Sequence, residues 1–238
     1  MKIAIIGYGK MGQTIEQLAL AKGHQIILKI GIDNLYDFTK EKLTSADVAI
    51  EFSSPESAFQ NIHSCIEWGV PVISGTTGWL NRKPEIEALV KAQKGAFLYA
   101  SNFSVGVNIF FALNRHLAQI MGQHPSYGIR MEEIHHTQKL DAPSGTAITL
   151  AEDIITQHPS KSYWVNTNNS NEDTIPIASK RIDNVPGTHS IEYHSAIDSI
   201  EIKHTAHSRQ GFAAGALLAA EWIIGKQGSF GMLDVLKF

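Results

Sequence analysis

The first hundred residues constrain the fold most. Short β-branched runs alternate with helical patterns: "KIAII", a helix over 11–22, "IILKI", "DVAIEF", a helix over 55–68, "VPVI", a helix over 84–94, and "AFLYA". Apolar strands separated by amphipathic helices call for a mostly parallel sheet with crossovers on its faces, because a parallel connection is long enough to need a helix. The class expected is α/β.

The first connection says what such a sheet can serve. "IAIIGYGKMG" places Gly7, Gly9 and Gly12 directly after a strand and at the opening of a helix, with Tyr8, Lys10 and Met11 between and beside them. The first glycine permits a tight turn and the second lets backbone approach a pyrophosphate. The third lets helix and sheet pack closely. Glycines serving only a turn are the bland alternative; strand, turn and helix in that order favour an N-terminal Rossmann-type dinucleotide-binding domain holding NADH or NADPH. The second strand ends "LKIGIDN", so Gly31 falls where an acidic residue is expected and Asp33 lies just beyond it. Asp33 either reaches the adenosine ribose or is a solvated loop residue, and Lys29 and Lys10 can support a 2'-phosphate. Crevice sites gather at the carboxyl ends of parallel strands. That places Phe52 and Ser53 of "EFSSPES", Gly75, Thr76 and Thr77 of "VISGTTGW", and Ser101, Asn102 and Phe103 of "ASNFSVGVN" along the cofactor. For Ser53 and Ser54 the competing role is a helix cap before Pro55.

The second half changes rhythm. A long helix over residues 105–121 leaves the sheet, followed by a strand-like "YGIRMEEIHH", a helix opening at Ser144, and a polar run "NTNNSNED". Strands are predicted over 177–181, 189–195 and 199–206, the last two antiparallel for want of room for a crossover. A helix over 209–225 and a final "MLDVL" close the chain. The division expected is residues 1–104 for the cofactor, 105–215 for an α+β domain on a mixed or antiparallel sheet that binds substrate and mediates assembly, and 216–238 packing back on the first domain.

The formal net charge of -3 lacks the basic balance of a nucleic-acid binder. Cys65 is the single cysteine, which excludes an intrachain disulfide or a cysteine-cluster metal site and suits a reducing, cytoplasmic setting. The longest apolar tract, "GFAAGALLAAEWIIG", is interrupted by Glu221 and reads as a buried helix, so no membrane partner is expected.

The chemistry concentrates in "EIHHTQKLDAPSGT", residues 133–146. Adjacent residues on a strand point to opposite sides, so one of His135 and His136 escapes ordinary core packing. A histidine near its ordinary pKa can give a proton at neutral pH, and spacing alone does not distinguish the two. His136 and Lys139 suit a carboxylate, with Lys139 alternatively assisting proton transfer. Ser144 is a candidate cap, and with Gly145 and Thr146 after it opens a helix whose N-terminal end suits a second anion, a role compatible with simple capping. Asp141 can pair with Lys139. Histidine pairs also suggest metals, but "HTAH" at His204 and His207 has no carboxylate at a standard spacing, so no metal is expected.

Taken together, "GYGKMG", "DVAIEFSSPE", "GTTG", "SNFSVGVN", "EIHHTQKLDAPSGTA", "VPGTH", "HTAHSRQGFAAGAL" and "GMLDVL" resemble the 4-hydroxy-tetrahydrodipicolinate (dihydrodipicolinate) reductases, in that family's order and over nearly the whole chain. The resemblance implies hydride transfer from NADH or NADPH to C4 of a cyclic unsaturated imine with two carboxylates, in lysine and diaminopimelate biosynthesis. It assigns the general acid to the first histidine, His135, and implies a homotetramer formed through second-domain sheets. Thr137 and Gln138 depart from the basic residue and histidine common there, which removes positive charge near a dianion. The alternative is another two-domain NAD(P)-dependent dehydrogenase acting on an amino-acid-derived dicarboxylate. A thioester-forming semialdehyde dehydrogenase needs a cysteine nucleophile near the cofactor, and Cys65 lies inside a predicted helix.

Overall fold

The computed structural model describes residues 1–167, 171–208 and 210–237. In chain order the elements are β1 (Lys2–Ile6), α1 (Lys10–Ala21), β2 (Gln25–Ile30), α2 (Lys40–Leu43), β3 (Val48–Glu51), α3 (Pro55–Glu67), β4 (Val72–Ser74), α4 (Lys83–Gln93), β5 (Ala96–Tyr99) and α5 (Val105–Met121). They continue as β6 (Gly128–His135), α6 (Gly145–Gln157), β7 (Tyr163–Val165), β8 (Thr174–Arg181), β9 (Gly187–His194), β10 (Ser199–Ala206), α7 (Gln210–Ile223), β11 (Gly228–Phe230) and α8 (Met232–Leu236). Backbone contacts divide the chain into Met1–Val105 with Arg209–Phe238, and Gly106–Ser208. Helix α7 therefore belongs whole to the first unit, where the sequence reading begins the return at residue 216. Residues 168–170 of the asparagine-rich run, and Arg209 at the expected helix start, lie outside the described residues.

The first unit carries the parallel sheet, in the order β11-β5-β4-β3-β1-β2. Period-two alternation explains its two cores. Ile3, Ile5, Val48 and Ile50 face Ile15 and Ala19 of α1 and the alanine-rich side of α7. Ala4, Ile6 and Ala49 face Phe59 and Ile62 of α3 and Ile86 and Val90 of α4. The strand order reverses at β1, which is flanked by β2 on one side and β3 on the other, so the crevice expected of such a sheet opens at their carboxyl ends. Strand β11, paired with β5, and the four-residue α2 go beyond the sequence reading, because three or four residues are too few to show a period.

The second unit carries a mixed sheet in the order β10-β9-β6-β8-β7. Strand β6 runs parallel to β8 and antiparallel to β9, and β9 is antiparallel to β10 as expected. Alternate residues Ile129, Met131, Glu133 and His135 of β6 point inward. The first two meet Phe110 and Phe111 of α5 and Leu150 and Ile154 of α6. At the end of the strand the same inward face turns polar.

Candidate active site

In the first unit, the expected cofactor residues collect at strand ends. Gly7 and Tyr8 both donate their N–H to Ile30 O at 2.9 Å, which bends the chain out of β1 and into α1. Gly7 has φ +97°, and a Cβ there would stand 2.0 Å from Phe52 O. Gly12 permits a similar approach, since its Cβ would stand 2.5 Å from Gly7 O. Gly9 is different: a Cβ there meets nothing within 4 Å. It is the helix N-cap, with Lys10 and Met11 opening α1, so this exposed backbone fits an approaching pyrophosphate at a helix N-terminus.

Glu51, at the end of β3 and fully buried, organises the neighbouring loops. Its carboxylate accepts from Ser53 N and Thr76 Oγ1, each at 2.9 Å, from Ser74 Oγ at 2.6 Å, and from the Ser53 hydroxyl. The Thr76 hydroxyl is thereby turned inward, while Thr77 stays exposed. Gly75 leaves room for the Phe52 ring, which packs on Phe103 at 5.6 Å between centroids. Ser101 is exposed after β5, and Asn102 Oδ1 accepts from Ser104 N at 2.9 Å. Asp33 lies exposed in the 3-10 turn Ile32–Asp37 after β2. Lys29, a candidate for a 2'-phosphate, is paired with Glu16 Oε1 at 3.2 Å and lies over the Tyr8 ring, whose hydroxyl donates to Glu16.

In the second unit the site is built on the polar end of β6. Glu133 and His135 are two residues apart on one strand and so share its inward face. The register sets His189 of β9 opposite Glu133 and Arg181 of β8 beside His135. Glu133 is wholly buried; its oxygens lie 3.5 Å from His135 Nδ1, 3.7 Å from His189 Nε2 and 3.6 Å from Arg181 Nη1. Both oxygens also accept from Ser144 N, at 3.1 and 3.0 Å. Ser144 caps α6 through Ala147 N at 3.2 Å, and its Oγ is 3.1 Å from His189 Nε2. The cap expected at Ser144 is present, with Gly145 and Thr146 in the first helical turn. Between strand and helix, Lys139 Nζ pairs with both oxygens of Asp141 at 2.6 and 2.7 Å. Arg181 donates to Lys139 O at 3.2 Å and to Asp141 O at 2.6 Å, which ties down the loop. His136 stands half-buried just beyond the strand, its enclosed Nδ1 without a hydrogen-bond partner.

These neighbours change the acid-base picture. His135 does not keep an ordinary histidine pKa. Burial, followed by the His189 ring and opposed by Glu133, pushes it down to about 4, with Lys139 and Arg181 adding to the fall. Burial works against ionised Glu133, but His189 and Ser144 outweigh it and hold the carboxyl well below its usual range. In the free protein, therefore, an ionised carboxylate sits beside a neutral imidazole at pH 7.

The sequence reading brings His135, Lys139 and Ser144 to one end of this unit but does not single out Glu133. The signal for it was available: an acidic residue two positions before His135 on a strand must share its face. Glu133, His135 and His189 also offer donor atoms all within 4.8 Å of one another, the one such group among the described residues that could hold a metal ion. His204 and His207 are not part of it. The donor types fit a cation, whereas the Arg181 guanidinium and the Ser144 N–H on the same carboxylate oppose one.

Comparisons with known proteins give the family of the chain. The sequence model described as "Dihydrodipicolinate reductase, N-terminus" matches residues 1–103, and that described as "Dihydrodipicolinate reductase, C-terminus" matches residues 106–236. A 4-hydroxy-tetrahydrodipicolinate reductase of Christiangramia forsetii is 51% identical over 241 residues, covering 100% of this chain and 98% of that protein. One of Neisseria gonorrhoeae is 36% identical over 266 residues, covering 99% and 97%. The dipicolinate-bound dihydrodipicolinate reductase of Paenisporosarcina sp. TG-14 shares the fold, with a TM-score of 0.77 at 24% identity over 98% of each chain. With both halves matched and relatives similar end to end, the chain belongs to the dihydrodipicolinate reductase family of NAD(P)H-dependent oxidoreductases.

Proposed function

We propose that the second unit holds the cyclic dicarboxylate, with His135 as proton donor, and that the glycine turn of the first unit presents the cofactor. The net reaction follows from family membership: NADH or NADPH reduces dihydrodipicolinate to tetrahydrodipicolinate in lysine and diaminopimelate biosynthesis. The compound taken up is 4-hydroxy-tetrahydrodipicolinate or the dihydro form left once water has departed. The reduced nicotinamide supplies the hydride, which goes to C4. Residues 7–12, with Phe52, Ser53, Gly75, Thr76, Thr77 and residues 101–103, hold the cofactor, and Asp33 stands at the adenosine end.

His135 protonates the carbon between C4 and the imine carbon. One observation carries this assignment: His135 is enclosed beside an ionised carboxylate, at the head of a loop rich in anion-binding groups. Burial and cations keep it neutral when the site is free; a bound dianion opposes the cations and lets the imidazole take up a proton as substrate arrives. Lys139 and His136 bind one carboxylate, and the α6 opening at Gly145 and Thr146, held in place by the Ser144 cap, binds the other. Assembly is a homotetramer through the second-unit sheet, supported by the edge strand β10, whose residues are exposed or half-buried along its length. The compartment is the cytoplasm, supported by a lone buried thiol at Cys65; no helix among the described residues is long and apolar enough to cross a membrane.

The direct test follows NADH and NADPH oxidation by absorbance while dihydrodipicolinate synthase generates the substrate. Turnover that releases tetrahydrodipicolinate is expected. Dipicolinate should bind with net proton uptake near pH 7; binding that releases no proton and takes none up removes the proposed role of His135.

A further inference from the structure

His135 has two ring nitrogens in unlike surroundings. Nδ1 is enclosed, lacks a hydrogen-bond partner, and lies 3.5 Å from a Glu133 oxygen. Nε2 lies on the side of Gly187, where a Cβ would stand only 3.1 Å from it and 3.3 Å from Cδ2. A carboxylate on one side and a glycine on the other therefore define an inward edge and a working edge of the ring.

We propose that Glu133 is a positioning residue for the proton donor: its carboxylate draws the Nδ1–H of His135 inward and leaves Nε2 as the nitrogen that gives up the proton. The inference rests on His135 being the donor. In the step itself the hydride and its electron pair pass from the reduced nicotinamide to C4, and the conjugated π electrons shift toward the imine nitrogen. The proton then moves from Nε2 to the neighbouring carbon as the imine reforms. Histidine ends as a neutral imidazole whose Nδ1–H still faces Glu133, and solvent restores the proton. The groups facing His135 are the His189 ring from β9, Arg181 from β8 and Lys139, paired with Asp141, from the loop. Each of the first two, and Lys139, disfavours the imidazolium. Glu133 is the group among them that favours it.

A purely structural Glu133, serving only to accept from Ser144 N, predicts something else. Its loss would lower stability and activity together without moving the pH profile. The test compares Glu133→Gln, Glu133→Asp and His135→Gln with the native chain, by kcat and KM from about pH 5 to 9 and by NMR titration of His135 Cε1–H. Glu133→Gln should lower kcat roughly 10- to 100-fold with KM within about threefold. The alkaline limb of kcat, and the His135 midpoint, should both move down by about one pH unit, equivalent to a tenfold change. Glu133→Asp keeps the charge but withdraws it by one carbon, so it should fall between. Folded Glu133→Gln with a native profile overturns the proposal. Should that variant fail to fold, a native kcat and profile for Glu133→Asp overturns it instead. An unchanged kcat in His135→Gln removes the donor assignment itself; a slow His135→Gln beside a native Glu133→Gln removes only the role of Glu133.

Discussion

Replacing Gly9 by alanine, with Gly7→Ala in parallel, separates what one turn does for folding from what it does for binding. At Gly7 a Cβ would stand 2.0 Å from Phe52 O and 2.7 Å from Ser53 N, at φ +97°. The left-handed backbone costs about 1–2 kcal/mol and the forced shift of neighbours a further ~1–3 kcal/mol. At about 2–4 °C per kcal/mol for a chain of this size, the melting temperature should fall by roughly 4–20 °C. At Gly9 φ is -85°, and nothing lies within 4 Å of the new Cβ. Alanine there meets no clash; the gain from a less flexible unfolded chain and the loss of a glycine N-cap are each up to about 1 kcal/mol and oppose one another, so stability should stay within about 1 kcal/mol of native. Yet the methyl would occupy the space proposed for the pyrophosphate, and a loss of roughly 1.4–2.7 kcal/mol should weaken NADH binding about 10- to 100-fold. Thermal unfolding by circular dichroism without cofactor, and fluorescence titration with NADH and NADPH, measure the two effects. The reasoning is refuted if Gly9→Ala melts as low as Gly7→Ala, or if it binds both cofactors with native affinity.

Lys139→Ala should raise KM for the dicarboxylate about tenfold or more, while kcat and the NADH dissociation constant stay within about threefold; a fall confined to kcat would move Lys139 to proton transfer. Ser144→Ala removes the α6 cap and the partner of His189, so it should lose about 1–2 kcal/mol of stability, seen as a lower melting temperature, and reduce substrate capture without touching NADH affinity. Stability should also depend on pH through His135. Its folded pKa of about 4 lies below the 6.5 of the unfolded chain, so the unfolded state binds the extra proton between them and stability rises with pH. Acidification from about pH 6.5 to 4 should therefore cost roughly 2–3 kcal/mol through this group. Denaturant titrations across that range should show a shallower slope in His135→Gln, and an identical slope would show that His135 is not buried neutral.

The sequence by itself determined the parallel sheet, the glycine turn, the antiparallel pair β9 and β10 and the cap at Ser144, because each is written in local periodicity or turn chemistry. It also placed His135, Lys139 and the α6 opening within a dozen residues of one another, which is why this polar loop was legible as one unit. Short pieces such as β7 and β11 were not, since three residues hold no period and gain their pairing from neighbours remote in the chain. Only the tertiary structure decided what surrounds His135. Strand β9 brings His189 across from Glu133, β8 brings Arg181, and the helix cap turns Ser144 N onto the same carboxylate. Those partners lie up to 56 residues from Glu133 in sequence, as His189 does. Burial and long-range register, not local pattern, lowered the histidine pKa, because the field at an enclosed group is set by whatever the fold packs around it.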